Sequence, residues 1–451
     1  MNALIALDRV AAAGLAPAVT SPTPVAKSRT DRSDEPSALP YFAYRTAVNA
    51  ARHLTGLRPF RPGEFGTGAN APSRSHIEEV NALIRNARRR QSSDERRLAR
   101  AARDVMTAGD KGRAELLRLK ESSESGARAT EQIWEFYLNL FGQRQGPFAG
   151  WLGALDRIAL DCYQAVYLGL GTARSIPSPA PLAYMEAGFG PATFRRGVKL
   201  GKLGQRVNPF PLVKVPHHRL LNPWSLGAVA HEVAHNLQND LGLWEVIPGR
   251  LAAAFARLGL PDHNAAVWQR WHKETYADLV GLLLIGPAYV GSLMDVVGRS
   301  RESTASWNDE AVHPTPIIRV PLNVRLLERI GFAGDAAAFR RAWDALYPGS
   351  AWGKVPAWMR AKLPEQIDAV LDAICFETFA EYGGRSLVEV VRFEPKHALL
   401  VREAADRLQA GTDTGVLPER FLIAAARQAL GQARTAPGTI QRNFYDSLNR
   451  C

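Results

Sequence analysis

The segment His231-Glu232-Val233-Ala234-His235 restricts this chain more than any other stretch of it. Two histidines four positions apart lie on one face of a helix, one turn apart, so a helix brings both rings to the same point. Glu232 is rotated by about 100° from His231, which sets its carboxylate beside that point rather than at it. A helix is expected here on independent grounds. Asn222 can cap its free N–H groups, Pro223 suits the first helical position, and Gly242 fits a C-terminal stop. Small or apolar residues fill most of the other positions between Leu226 and Leu237. The chain has ten histidines, and an accidental match to this spacing is roughly a one-in-a-hundred event.

Two imidazoles so placed can hold one Zn²⁺ ion through ring nitrogens at about 2.0–2.1 Å, with Glu232 positioned to take a proton from water at the metal. A catalytic zinc needs a third protein ligand and an open fourth position. The metzincin pattern requires a histidine six residues after His235; that position is Leu241, which excludes the subclass. Further along, Trp271-His272-Lys273-Glu274-Thr275-Tyr276-Ala277-Asp278 lies in a helix expected to start near Asp262. Glu274 and Asp278 share a face, so Glu274 can complete a two-histidine, one-glutamate site while Asp278 accepts the outer N–H of a ligand histidine. His272 is the competing third ligand, on a different face from Asp278.

H-E-x-x-H followed by a helical E-x-x-A-D resembles the gluzincin metallopeptidases. The E-x-x-A-D form is similar to that of the CAAX prenyl protease group and its small soluble relatives, the minigluzincins. His313-Pro314-Thr315-Pro316-Ile317-Ile318-Arg319 resembles the His-Pro segment of that group, which leads into a helix bearing an arginine. The resemblance covers roughly residues 150–335. It implies a zincin-like domain that hydrolyses peptide bonds with one zinc ion, a catalytic Glu232, and a His313 that helps stabilise the tetrahedral intermediate with support from Arg319. It departs from the membrane members of the group. The most apolar stretch, Leu279 to Met294, is interrupted by Gly286-Pro287 and is short of the roughly 20 residues a span needs, so two buried helices are expected instead of a membrane segment.

The expected fold is α+β and predominantly helical, with a small antiparallel sheet beside the active-site helix and helical regions flanking the catalytic domain. At 451 residues the chain has room for roughly two to four domains. Residues 1–75, rich in Ala, Pro, Ser, Gly and Thr, read as an unstructured segment, with Tyr41-Phe42-Ala43-Tyr44 as a docking element within it. Residues 76–130 read as basic helix, 131–335 as the metallopeptidase domain and 336–451 as a helical C-terminal region. Within the catalytic part, Ala192–Phe194 and Phe210–Val215 read as strands. Phe210–Val215, next to Pro209 and Pro211, is the expected sheet edge, to which an extended peptide would add.

The formal charge is +12, from 56 Lys and Arg against 44 Asp and Glu. The arginines at 85, 88, 89, 90, 96, 97, 100 and 103 could grip a polyanion. No aromatic residues interleave them, so a solvated helical face is the plainer expectation. Cys162, Cys375 and Cys451 are too few and too far apart for a disulfide framework, which fits a reducing compartment. The N-terminus lacks a basic segment ahead of its short apolar run, so a cytoplasmic location is expected, with non-classical export as the alternative. A peptide or protein is the expected substrate. The alternatives are an inactive zincin-like binding or regulatory module, or an effector delivered into another cell.

Overall fold

The computed structural model of the protein describes residues 38–171 and 175–450. Residues 1–37 of the expected unstructured segment lie outside the described residues, as does Cys451. Residues 38–75 differ from that expectation. Helix α1 covers Ala38–Gly56, and Leu39 and Phe42 pack beside Leu98, Leu116 and Leu119. Phe60 and Phe65 then enter an aromatic cluster with Tyr137 and Phe141. Asn81 clamps the Phe60 backbone, its carbonyl accepting from the Phe60 N–H at 2.7 Å and its amide donating to the Phe60 C=O at 2.9 Å. A few aromatic anchors order a segment whose average composition is that of a linker.

Helices α2 (Arg74–Arg103) and α3 (Gly109–Gly142) fold back on each other. Ser73 starts α2 with a capping box, in which its hydroxyl accepts from the His76 N–H while the His76 ring accepts from the Ser73 N–H. Val80, Ile84, Ala87 and Leu98 turn inward, leaving every arginine of the 85–103 run except Arg88 exposed. Arg88 is half-buried and donates to the Leu54 carbonyl at 2.7 Å. The folded body therefore begins well before Ile133.

Helix α4 (Ala149–Gly169) backs a three-stranded sheet of β1 (Leu182–Met185), β2 (Ala192–Phe194) and β5 (Leu212–Val215), in the order β1-β5-β2. A small hairpin of β3 (Lys199–Leu200) and β4 (Arg206–Val207) projects between β2 and β5. The sheet is mixed, not antiparallel: β1 pairs with β5 in parallel, Leu182 opposite Leu212, and β2 pairs with it antiparallel, Thr193 opposite Val213. The 210–215 segment is consequently central rather than an edge. Its side chains explain this, since Val213 and Val215 join the cluster under α4 while Leu212 faces Tyr137 and Phe141 in the other. Pro209 and Pro211 precede the ladder, so their missing N–H groups leave no paired position empty. The open edge next to the helices is β2.

Helix α5 (His217–Leu220) and a 3₁₀ turn at Pro223–Ser225 lead into α6 (Gly227–Asp240). The expected cap at Asn222 is not formed at α6. Asn222 begins the 3₁₀ turn, and its amide donates back to the His218 carbonyl at 3.3 Å. Gly242, with φ +74°, ends α6 as expected. Next come α7 (Val246–Arg257), α8 (Asp262–Ile285) and α9 (Pro287–Val297). Gly286, at φ +68°, makes the turn between α8 and α9. Short α10 (Arg301–Thr304) and a loop carry the chain to α11 (Pro316–Arg329).

The expected boundary at 335/336 has no counterpart in the packing. One buried apolar cluster runs from Leu152 to Leu448. Helices Pro395–Ala410, Phe421–Gln432 and Pro437–Asn449 close it from outside. Arg420 ties this layer to Asp161 of α4 at 2.9 Å, and the Tyr445 hydroxyl donates to the Leu220 carbonyl at 2.7 Å. The C-terminal layer also contains a small hairpin, Thr378–Phe379 with Arg385–Ser386. Among the described residues no helix is long and apolar enough to cross a membrane, and Cys162 and Cys375 are buried free thiols.

Candidate metal centre

Helices α6 and α8 pack along each other, and the face between them carries charge where apolar residues would be ordinary. His231 and His235 project from α6 with ring centroids 4.7 Å apart. Glu274 projects from α8 to meet them: its Oε2 is 3.2 Å from His231 Nε2, and its Oε1 is 3.3 Å from His235 Nε2. One ligand atom from each of the three lies within 4.8 Å of the others. His313, at the entrance to α11, adds its Nε2 at 3.4 Å from Glu274 Oε1. Three imidazole nitrogens thus converge on one carboxylate.

A second carboxylate braces this group from behind. Asp278, wholly buried one turn further along α8, accepts from Arg319 Nε and Nη2 at 2.7 Å each and from the Tyr289 hydroxyl at 2.7 Å. The His231 Nδ1 is 3.0 Å from Asp278 Oδ1 and 3.1 Å from the Tyr289 oxygen. In the neutral ring an Nδ1 proton held there would leave Nε2 as the lone-pair donor, the usual way a carboxylate fixes a ligand histidine. Tyr289 reaches this position because it crosses α8 at Gly281, where an added Cβ would lie 2.3 Å from its ring. Burial works against the Asp278 anion, but Arg319 and His231 outweigh it and hold its pKa down at about 2. Burial likewise pulls His231 down, while Asp278 and Glu274 outweigh it and raise it to about 10. Glu274 is held far below the carboxylate range by His231 and His235 despite its burial.

Glu232 stands apart from this network. Its carboxylate makes no hydrogen bond or ion pair among the described residues, and burial pushes its pKa up. It lines a cavity of about 460 Å³ with His231, Glu274, His313 and Arg319. Phe189, Leu293, Val297 and Arg299 line the same cavity.

All seven residues picked from sequence, His231, Glu232, His235, Glu274, Asp278, His313 and Arg319, come together here. His272 does not join them. Its Nδ1 is 2.6 Å from the Gln269 carbonyl and its ring meets the edge of Trp244. Two participants escaped sequence reasoning. Tyr289 belongs to an apolar helix and carries no motif. Asn236, next to His235, donates from its amide to the Thr193 hydroxyl at 2.7 Å, tying α6 to edge strand β2. Its position directly after the histidine was the only signal for it.

The donor set fits a divalent zinc ion. Two imidazole nitrogens and a carboxylate oxygen are the ligand types and the number of a catalytic zinc site, and His231 and Glu274 line the cavity. Compared with known proteins, the chain matches no family model, no curated protein and no solved structure.

Proposed function

We propose that the protein is a zinc metallopeptidase of the gluzincin type. The observation that carries this reading is the convergence of His231, His235 and Glu274 from two helices, with an unpaired Glu232 carboxylate facing the same cavity. His231, His235 and Glu274 would hold one zinc ion. When bound, zinc would supply Lewis acidity toward a scissile carbonyl and a water molecule.

The chain's own groups have distinct tasks. Asp278 and Tyr289 orient the His231 ring, and Arg319 balances the charge of Asp278. Glu232 takes a proton from the attacking water on a carboxylate oxygen and delivers it to the leaving nitrogen. Its burial raises its proton affinity, which suits both halves of that task. The His313 ring, largely exposed at the rim, can donate from Nε2 to an oxygen that gathers negative charge. Strand β2, held to α6 by the Thr193–Asn236 bond, is the edge along which an extended peptide can pair through its main chain.

The deciding experiment combines metal analysis with peptide cleavage. The purified protein is expected to carry about one zinc per chain and to cut a mixed peptide library. Glu232→Gln is expected to keep the metal and lose cleavage. Metal without any Glu232-dependent cleavage would leave a binding module in place of an enzyme.

A further inference from the structure

The charges at the metal centre are balanced by one another. Just outside it stand cations with no anion. Trp244, in the turn after α6, has the Arg195 guanidinium 3.7 Å from its ring centroid and the Lys273 ammonium 3.8 Å from it. All three side chains are partly exposed. Arg195 directly follows β2, and Lys273 directly precedes Glu274. Glu245 and Glu274 act on Lys273 through space, but among the described residues no carboxylate is in ion-pair contact with Lys273 or Arg195.

A second such pair lies ahead of β2. Phe189 is exposed, and the Arg299 guanidinium lies 4.1 Å from its ring centroid. Arg299 also lines the cavity that contains Glu232 and Glu274, and it too has no carboxylate in contact among the described residues. Several other arginines beside the core do have a carboxylate partner, as in Arg144–Asp156, Arg420–Asp161 and Arg427–Asp295. Two like charges on a single indole repel each other. Aromatic faces hold them in place but do not neutralise them, so both ends of β2 present a fixed positive potential.

We propose that these two cation–aromatic pairs are subsites for acidic side chains, and that the protein's substrates are peptides carrying Asp or Glu on both sides of the bond to be cut. The assignment of a cut bond rests on the peptidase reading; the charge selectivity does not. A peptide paired along β2 would bring one acidic residue to Arg195 and Lys273 and the other to Arg299.

The test is fluorescence anisotropy of labelled ten-residue peptides with full-length Glu232→Gln protein, which binds without cutting. Peptides with Asp at both flanks are expected to bind about tenfold more tightly than their Asn counterparts at low salt, a margin that shrinks as salt rises. Lys273→Gln and Arg299→Gln should each weaken the Asp peptide several-fold and leave the Asn peptide unchanged, which also reports that the variants are folded. Equal affinity for the Asp and Asn peptides, or Asp-peptide affinity untouched by both substitutions, overturns the proposal. Cleavage of the same peptides by the wild-type protein, followed by mass spectrometry, separates the two readings. Charge-selective binding without cleavage keeps this inference and removes the peptidase; cleavage without charge preference does the reverse.

Discussion

Two helix pairs in this molecule handle charge in opposite ways. The α2–α3 hairpin turns its arginines to solvent and buries Val80, Ile84 and Leu98. The α6–α8 pair buries His231, Glu232 and Asp278 and leaves His235 and Glu274 scarcely more exposed. In the hairpin nearly all the arginines are exposed to solvent, where neighbouring charges matter little. Between α6 and α8 the charges are largely withdrawn from water, and carboxylate, imidazole and guanidinium groups satisfy one another there, Glu232 excepted. A chain keeps such an arrangement at some cost in stability, and perturbed buried groups facing a cavity mark a functional site.

This contrast predicts a steep ranking of substitutions. The largest effects belong to the converging ligands. Glu274→Ala and His235→Ala are expected to strip the metal, leaving well under one ion per chain by elemental analysis, because two remaining ligands cannot hold a catalytic ion. Retention of a full ion in both would remove the site as drawn. Glu232→Gln should retain the ion and lower cleavage by about 10²–10⁴-fold.

The brace behind the ligands comes next. Asp278→Asn is expected to weaken metal affinity by about 10–100-fold in competition with a chelator. Since it also leaves Arg319 buried without its anion, unfolding in denaturant should register a loss of about 3–5 kcal/mol. Gly281→Ala forces a Cβ against the Tyr289 ring, with an expected cost of about 1–3 kcal/mol in the same measurement. An unchanged denaturation midpoint would mean that Tyr289 moves freely and does not brace the site.

The smallest effects fall on the hairpin and on the histidine that stayed out of the cluster. Arg89→Gln and Arg96→Gln should each shift stability by less than about 0.5 kcal/mol. Together they should reduce the salt dependence of any polyanion binding, and no binding at low salt would leave α2 as a solvated face. His272→Ala should bind metal as the wild type does. Deletion of residues 1–75 falls outside this gradient. It removes Phe60 and Phe65 from an aromatic cluster in which one Phe→Ala change costs about 3–5 kcal/mol, so the truncated chain is expected to lose cooperative unfolding.

The parts of this fold that could be read from sequence are those in which a single element carries the information. The helix spacing of His231 and His235, the shared face of Glu274 and Asp278, and the start of α8 at Asp262 depend on local periodicity alone, and each residue stands where that periodicity puts it. The sequence kept His272 as a competing ligand; its place against Gln269 and Trp244 is what removes it. Features that depend on a partner element were not legible. The 210–215 strand looked like an edge because its prolines were visible while β1, its parallel neighbour, was too short to announce itself. The order of residues 38–75 rests on Asn81 and Phe141, far along the chain, and not on composition. Tyr289 reaches Asp278 only because α9 crosses α8 at a glycine.

The single carboxylate of Asp278 touches residues from α6, α9 and α11 while itself belonging to α8. An ion entering such a site finds its ligands already aimed, so uptake would demand little ordering of the chain and would differ from the folding-coupled capture of a small zinc finger. The free energy of capture would then go into exchanging the ion's water shell for imidazole and carboxylate.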